Sequence, residues 1–174
     1  MKKENKASCQ DNTFDLKMKF TVNQALNEKQ KLEIIELWNN EYPKKLSLSS
    51  LFEFEQYLIT LFDKNHILLS DKNGTVKGWL VYFVRDNKKC FAMLLDSSLQ
   101  GQGLGSKFLN LAKERNSELY SWVIDNEKEP KQNGETYKSP VGFYRKNGFE
   151  IRTEILLNKK NINGIQVVWK SDKK

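Results

Sequence analysis

The 174 residues predict an α/β (α+β) chain: a mixed, mostly antiparallel sheet of seven strands flanked by about four helices. Three patterns carry that prediction. Short apolar runs bounded by Asp, Asn, Lys and Gly follow one another as half-buried strands do. Two early windows repeat their apolar residues at helical spacing behind capping signals. A later apolar run ends in a loop with glycine at every second position and opens directly onto a helical window.

The elements follow in order. Residues 1–13 are polar and are expected to form a mobile tail, leaving 14–174 as a single domain. A first strand is expected near Met18–Val22. A helix then starts at the capping box Asn27-x-x-Gln30 and runs through Ile34, Ile35 and Trp38 toward Tyr42-Pro43. Ser50-x-x-Glu53, the cleaner box by residue type, opens a second helix reaching Phe62, with Leu51, Phe54, Leu58 and Leu61 on one face. A hairpin joins Ile67–Leu69 to Val76–Val84 through Asp71-Lys72-Asn73-Gly74. A turn at 86–89 leads into Cys90–Leu95. Beyond the glycine-loop helix, Leu119–Ile124 reads as a strand, and a polar loop spans Asn126–Lys138. A short helix around Tyr144 precedes two last strands, Phe149–Leu156 and Ile165–Trp169.

Composition narrows the class. A 39% hydrophobic content with four Trp and ten Phe supplies one sizeable core. No run of about 18 apolar residues exists, so no membrane span is expected. The first ten residues lack the apolar stretch of a secretory signal. Cys9 and Cys90 make neither a disulfide framework nor a metal site, and a cytoplasmic protein with free thiols is expected. The net charge of +7 could serve nucleic acid or a ligand with several phosphates. The positive residues are scattered, with no basic helix interleaved with aromatics, so nucleic acid is not the expected partner.

The most informative segment is Leu94–Ser106. Its loop N–H groups, with those of the first helical turn behind them, can converge on an anion. Glycines there let the main chain approach a phosphate closely. Spacing decides which phosphate. The dinucleotide pattern G-x-G-x-x-G fails because position 106 is Ser, and the Walker spacing fails because Gly101 and Gly103 lack a second Gly five residues on. The pattern that fits is Gln100-x-x-Gly103-x-Gly105.

That pattern resembles the acetyl-CoA signature of the GNAT acetyltransferase superfamily. A second stretch, Tyr144-Arg145-Lys146-Asn147-Gly148-Phe149, is similar to the family's Y-x-x-x-G-F, a short helix closing before a strand. Where the family often carries Asn and Ala ahead of that tyrosine, this chain has Tyr137 and Pro140. The resemblance implies a seven-stranded sheet with a V-shaped split between the fourth and fifth strands, here 90–97 and Leu119–Ile124, and acetyl-CoA as acyl donor in the split. It implies that the main chain of Leu95 and Ser97 pairs with the pantetheine arm. Gln102, Gly103, Gly105 and Ser106 would hold the pyrophosphate, with Gln100, Gly101, Lys107 and Phe143 completing the donor site; Arg145 is a further candidate charge for it.

The implied chemistry is direct attack of a primary amine on the thioester in a ternary complex. It needs a neutral amine, a polarised carbonyl and a proton for the departing thiolate. Tyr144 fits the proton donor by its place in the motif, and the N–H of Leu95 fits the carbonyl. The base stays open among Asp96, Asp125, Glu127, Glu53, Glu55 and an ordered water; His66, the one histidine, is expected to be structural or exposed.

The loop 126–138 is long for a connection in a compact domain. Glu127 and Tyr137, facing Glu53 or Phe54, are expected to line an acceptor pocket. Two function classes remain: an N-acetyltransferase acting on an amine-bearing small molecule or peptide, as monomer or homodimer, or a non-catalytic acyl-CoA-binding or nucleic-acid-binding protein of the same fold. Tyr144 favours the enzyme, because a binding module needs no proton donor there.

Overall fold

The computed structural model describes residues 18–159 and 162–172. The expected mobile tail over 1–13 and the thiol of Cys9 lie outside the described residues.

Thirteen residues into the described chain the first helix is already committed by its cap. β1 (Lys19–Asn23) is followed by α1 (Glu28–Glu41), where Asn27 accepts from Gln30 N and Gln30 returns a bond to Asn27 N, a complete capping box. At α2 (Leu51–Ile59) the box expected from Ser50 is only half made. Ser50 accepts from Glu53 N at 3.2 Å, but the Glu53 carboxylate turns to Ser49 N and Oγ.

α2 also ends three residues before Phe62. Leu61 and Phe62 follow the helical spacing, yet Phe62 begins β2 (Phe62–Ser70), and an irregularity at Asp63, with φ 48°, separates it from the regular ladder. β3 (Val76–Arg85) and β4 (Lys88–Leu95) join through Asp86 and Asn87 alone, both with positive φ. This two-residue turn matches strand twist and is tighter than the four-residue turn expected. α3 (Leu104–Lys113), β5 (Glu118–Ile124), α4 (Val141–Lys146), β6 (Glu150–Lys159) and β7 (Ile162–Lys170) complete the order.

The seven strands form one sheet, β1-β2-β3-β4-β5-β7-β6, antiparallel except between β4 and β5. Strand alternation sends side chains to two cores. One face packs Leu80, Phe91, Phe108, Leu119 and Val167 against α3 and α4; the other packs Leu68, Trp79, Val81 and Leu94 against Ile34, Trp38 and Phe54 of α1 and α2. Burying each large side chain contributes about 1.5–3 kcal/mol.

The parallel pair is where the sheet fails to close. The one register pair between β4 and β5 is Cys90–Tyr120, beyond which the strands diverge. β4 keeps following β3 to its end, Asp96 N donating to Lys77 O at 3.0 Å. β5 follows β7 over seven register pairs. The split expected between the fourth and fifth strands is therefore present.

Candidate active site

The ladder fixes which main-chain groups reach the split. Because Asp96 bonds to β3, alternation directs the N–H and C=O of Leu95 the opposite way, toward the gap where no β5 residue pairs with it. The Leu95 carbonyl accepts from the Gln100 side chain at 3.2 Å, leaving the Leu95 N–H facing the gap. The Ser97 N–H emerges on the same side and donates to Glu41 Oε1 at 2.9 Å.

Below β4 lies the glycine loop. Gly101 and Gly103 have φ of 76° and 79°, and Gly103 caps α3 in the left-handed region. A Cβ at either would meet no atom within 4 Å, so the space above the loop is open. The N–H groups of Gly101, Gln102 and Gly103 make no hydrogen bond within the described residues. They join the first-turn N–H groups of α3, which a helix leaves unsatisfied. Gly105 serves a different purpose: its Cβ would stand 3.0 Å from the Phe143 ring, so its absence lets α4 approach α3.

α4 presents Tyr144. Phe149 N donates to Tyr144 O and Gly148 N to Arg145 O, both at 3.1 Å, with Gly148 at φ 78°. These are the paired bonds of a Schellman closure, which stops the helix and turns the chain into β6. The Tyr144 ring is buried between Phe91, Phe143 and Phe149, with centroid distances of 5.8, 5.2 and 5.4 Å. Its hydroxyl makes no hydrogen bond to any described residue. Burial raises its pKa well above that of an ordinary phenol, and the Tyr42 and Tyr137 phenols add to the shift.

A cleft of about 1240 Å³ passes through the split. On the α3 and α4 face, Leu95, Ser97, Gln100, Gly105, Phe143 and Tyr144 line it. On the α1 and α2 face, Tyr42, Tyr57, Arg85, Trp122 and Tyr137 do so. Burial pushes the Tyr42 hydroxyl up to about 12 and those of Tyr57 and Tyr137 higher still, so all stay protonated near neutrality.

The segment after β5 is folded onto the rest rather than loose. Pro130 bridges Thr136, Lys131 bridges Pro43, and Lys44 N donates to Pro130 O at 2.9 Å. Lys131, nearly buried, pairs with Glu41 Oε2 at 3.2 Å. Tyr137 packs with Ile124 and Ile162. The segment thus closes one end of the cleft.

Several expected site residues lie elsewhere. Phe54 is fully buried against Trp38 and Trp79, so it cannot face a ligand. Glu53 is bound to Ser49 at the start of α2, and Glu127 is exposed; neither lines the cleft. Of the four expected acceptor residues the cleft takes Tyr137 alone. Lys107 lies over the Phe20 ring at 5.1 Å, and Gln102 bonds Ser98 O at 3.1 Å. Ser106 is half-buried in the first turn of α3.

Most candidate bases are already engaged. Burial raises the Asp96 pKa, but bonds from Ser98 and the Lys77 charge outweigh it and hold the carboxyl below its usual value. Asp125 accepts from Ser139 and Glu55 from Lys31. His66 is buried, its Nδ1 accepting from Trp79 Nε1 at 3.1 Å. Sequence reasoning missed Glu41, Lys131, Tyr42, Tyr57 and Arg85. Tyr42-Pro43 at a helix end was the one local signal for any of them.

The family profile described as an acetyltransferase (GNAT) domain matches residues 63–151, about half of the chain. The chain belongs to the GNAT acetyltransferase domain family. No curated protein matches it. Among solved structures it resembles a GNAT superfamily phosphinothricin acetyltransferase from Sinorhizobium meliloti in complex with AcCoA. That match has 15% identity and a TM-score of 0.61, covering 87% of this chain and 88% of that one. It also resembles a spermidine N-acetyltransferase from Vibrio cholerae in complex with CoA and spermine. Here identity is 16% and the TM-score 0.61, covering 88% of this chain and 96% of that one. At such identities the likeness is one of fold.

Proposed function

We propose that the protein is an N-acetyltransferase that moves an acetyl group from acetyl-CoA to a primary amine by direct attack within a ternary complex. The observation that carries this is the unpaired edge of β4 beside a buried, unpartnered phenol. The Leu95 N–H faces the split, and Tyr144 lines the same cleft.

Acetyl-CoA is the acyl donor, and the residues present suit it. Open space above Gly101 and Gly103, with free loop N–H groups, suits a pyrophosphate. Gln102, Ser106 and Lys107 stand around that loop. The edge of β4 offers main-chain groups to the amides of the pantetheine arm, as a sheet edge does to an added strand. Ser97 contributes its N–H only if Glu41 releases it.

Within that frame the Leu95 N–H polarises the thioester carbonyl, and the amine nitrogen forms the new C–N bond as the C–S bond breaks. Tyr144 supplies a donor where negative charge develops on sulfur. A phenol held protonated and positioned in advance stabilises that charge without reorganising. Both oxygens of Glu41 are engaged, by Ser97 and Lys131, so it acts as a strut across the cleft. The amine loses its proton to water in the open cleft, and where Tyr144 passes its own proton to the thiolate the same water restores it.

The test is release of free CoA thiol when the protein is mixed with acetyl-CoA and a panel of primary amines. Thiol release that depends on the amine, with the acetylated amine recovered, supports the enzyme. Tight acetyl-CoA binding with no amine-dependent release across the panel marks a non-catalytic acyl-CoA-binding domain instead.

A further inference from the structure

The α1 and α2 half of the cleft has a polar end where β3 finishes. On β3, alternation places Trp79, Val81, Phe83 and Arg85 on the α1 and α2 face, and the first three lie in its core. Arg85, exposed, is the residue of that row that leaves the core and lines the cleft. Its guanidinium folds back over the Phe83 ring, 5.1 Å from the centroid. Among the described residues it forms no ion pair and no hydrogen bond. It lies close enough to the Tyr57 phenol to oppose the rise that burial causes there. Gln56, exposed and without a hydrogen-bond partner among the described residues, lines the cleft beside Tyr57.

We propose that Arg85, Gln56 and Tyr57 form a subsite for an anionic group, so that the acceptor is a small amine carrying a carboxylate or phosphate at its far end. A guanidinium fork, a carboxamide and a phenol are all donors, and a planar or tetrahedral oxyanion is what such a set satisfies. The charges agree. The cleft is lined by Arg85, Lys131 and Lys138 against Glu41 and Glu135, and Glu41 with Lys131 is a closed pair. Asp86 and Glu118 lie near enough to raise the Cys90 thiol, but neither lines the cleft or pairs with Arg85. A polycation would place its second charge against Arg85; an anion there completes it.

The ladder also gives a length. Leu95 is opposite Gly78 and Met93 is opposite Leu80, while the Arg85 head group lies level with Phe83. At about 3.3 Å per residue, the anion stands roughly 10–17 Å along the strand from the Met93–Leu95 stretch of β4, where the Leu95 N–H meets the thioester in the acetyltransferase proposal. That span suits an extended acceptor, such as a long ω-amino acid or a short peptide.

This subsite rests on the acetyltransferase proposal, and the experiment separates the two. Calorimetry first measures acetyl-CoA binding to wild type, Arg85→Ala and Arg85→Lys; loss of binding in wild type strikes the enzyme proposal, not the subsite. Thiol release is then measured for ω-amino carboxylates, ω-amino phosphate monoesters, the matching carboxamides and the matching diamines, over a range of chain lengths. Wild type is expected to favour an anionic series over its carboxamide at least tenfold in kcat/KM, mainly through KM. Which of the two anionic series leads distinguishes carboxylate from phosphate. Arg85→Ala should erase the preference, and Arg85→Lys should restore part of it.

A wild type that prefers diamines or carboxamides, or an Arg85→Ala variant that keeps the anionic preference, overturns the subsite. If no amine in the panel turns over, binding of the N-acetylated carboxylates and carboxamides to the CoA complex is followed by the fluorescence of Trp38 and Trp122, which line the cleft. Equal affinity of the two series in that measurement overturns it as well.

Discussion

Glu41 receives the backbone N–H of Ser97 at 2.9 Å across 56 residues of sequence, tying the end of α1 to the strand end from which the glycine loop departs. Its second oxygen holds Lys131, 90 residues away. One carboxylate therefore joins three separate segments, each of which lines the cleft.

Removing one side of that junction should loosen the segment after β5. Lys131 and Glu41 side chains are only 9% and 11% exposed, so Lys131→Met strands a carboxylate with little solvent to help it. A loss of about 2–3 kcal/mol is expected, below the cost of a fully buried pair. Hydrogen exchange should rise at Lys131 and Tyr137, whose amides bond Glu135 and Glu129, while α3 stays protected. Unchanged exchange across that segment would show that its backbone bonds alone hold it.

Tyr144→Phe deletes a hydroxyl that no described residue uses, so the fold and donor affinity should both survive. Turnover is expected to fall by about 10²–10⁴-fold, the usual worth of a positioned acid. Equal kcat in the variant, measured with the true acceptor, assigns the thiolate's proton to water or another side chain.

Gly103→Val places a β-branched residue at φ 79°, where no steric neighbour objects but the backbone does. The loop must shift, at a cost of order 1–3 kcal/mol. Acetyl-CoA affinity should drop at least tenfold, with the far-ultraviolet spectrum unchanged. Calorimetry giving wild-type affinity in a folded variant would remove the loop from the donor site.

His66 makes stability depend on pH. Burial, then the Lys64 charge, lowers its pKa from 6.5 to about 4, so it stays neutral while folded. The unfolded chain takes up the proton first, and stability is lost as pH falls from about 6.5 toward about 4. The full effect is on the order of 3 kcal/mol; above pH 6.5 this group contributes no slope. Urea midpoints at pH 7 and pH 4.5 should differ more in wild type than in His66→Gln, which keeps an acceptor for Trp79 but cannot titrate. Parallel slopes in the two proteins would place the acid sensitivity elsewhere.

What was legible in the chain was whatever local chemistry dictates. Asn27 and Gln30 announce a cap, and Gly148 closes α4 in the left-handed region that its place after Lys146 predicts. The glycines at 101 and 103 announce an open loop before α3, whereas Gly105, counted with them in the sequence, lies inside α3 and makes room for Phe143. Local periodicity failed at Leu61 and Phe62, because a helix and a strand that meet without a breaker share apolar residues at either spacing. It failed at Phe54 for a related reason: an apolar face marks what is buried, not whether a ligand or a tryptophan buries it. Glu41 and Lys131 could not be read at all. Their partners are fixed by the way β4, α1 and the segment after β5 converge, and no short window contains that convergence.

The single Cys90–Tyr120 pair makes the sheet two slabs on one pivot, β1 to β4 on one side and β5, β7 and β6 on the other. Each slab has its own ladders, whereas the seam between them relies on α3, α4, the Glu41–Lys131 pair, the bonds of Pro43 and Lys44 to the segment after β5, and whatever occupies the gap. A molecule seated there is mortar as well as reactant. An occupant at a hundred times its dissociation constant adds about 2.7 kcal/mol to the folded state. The stability of the fold is thereby expected to follow the concentration of that molecule.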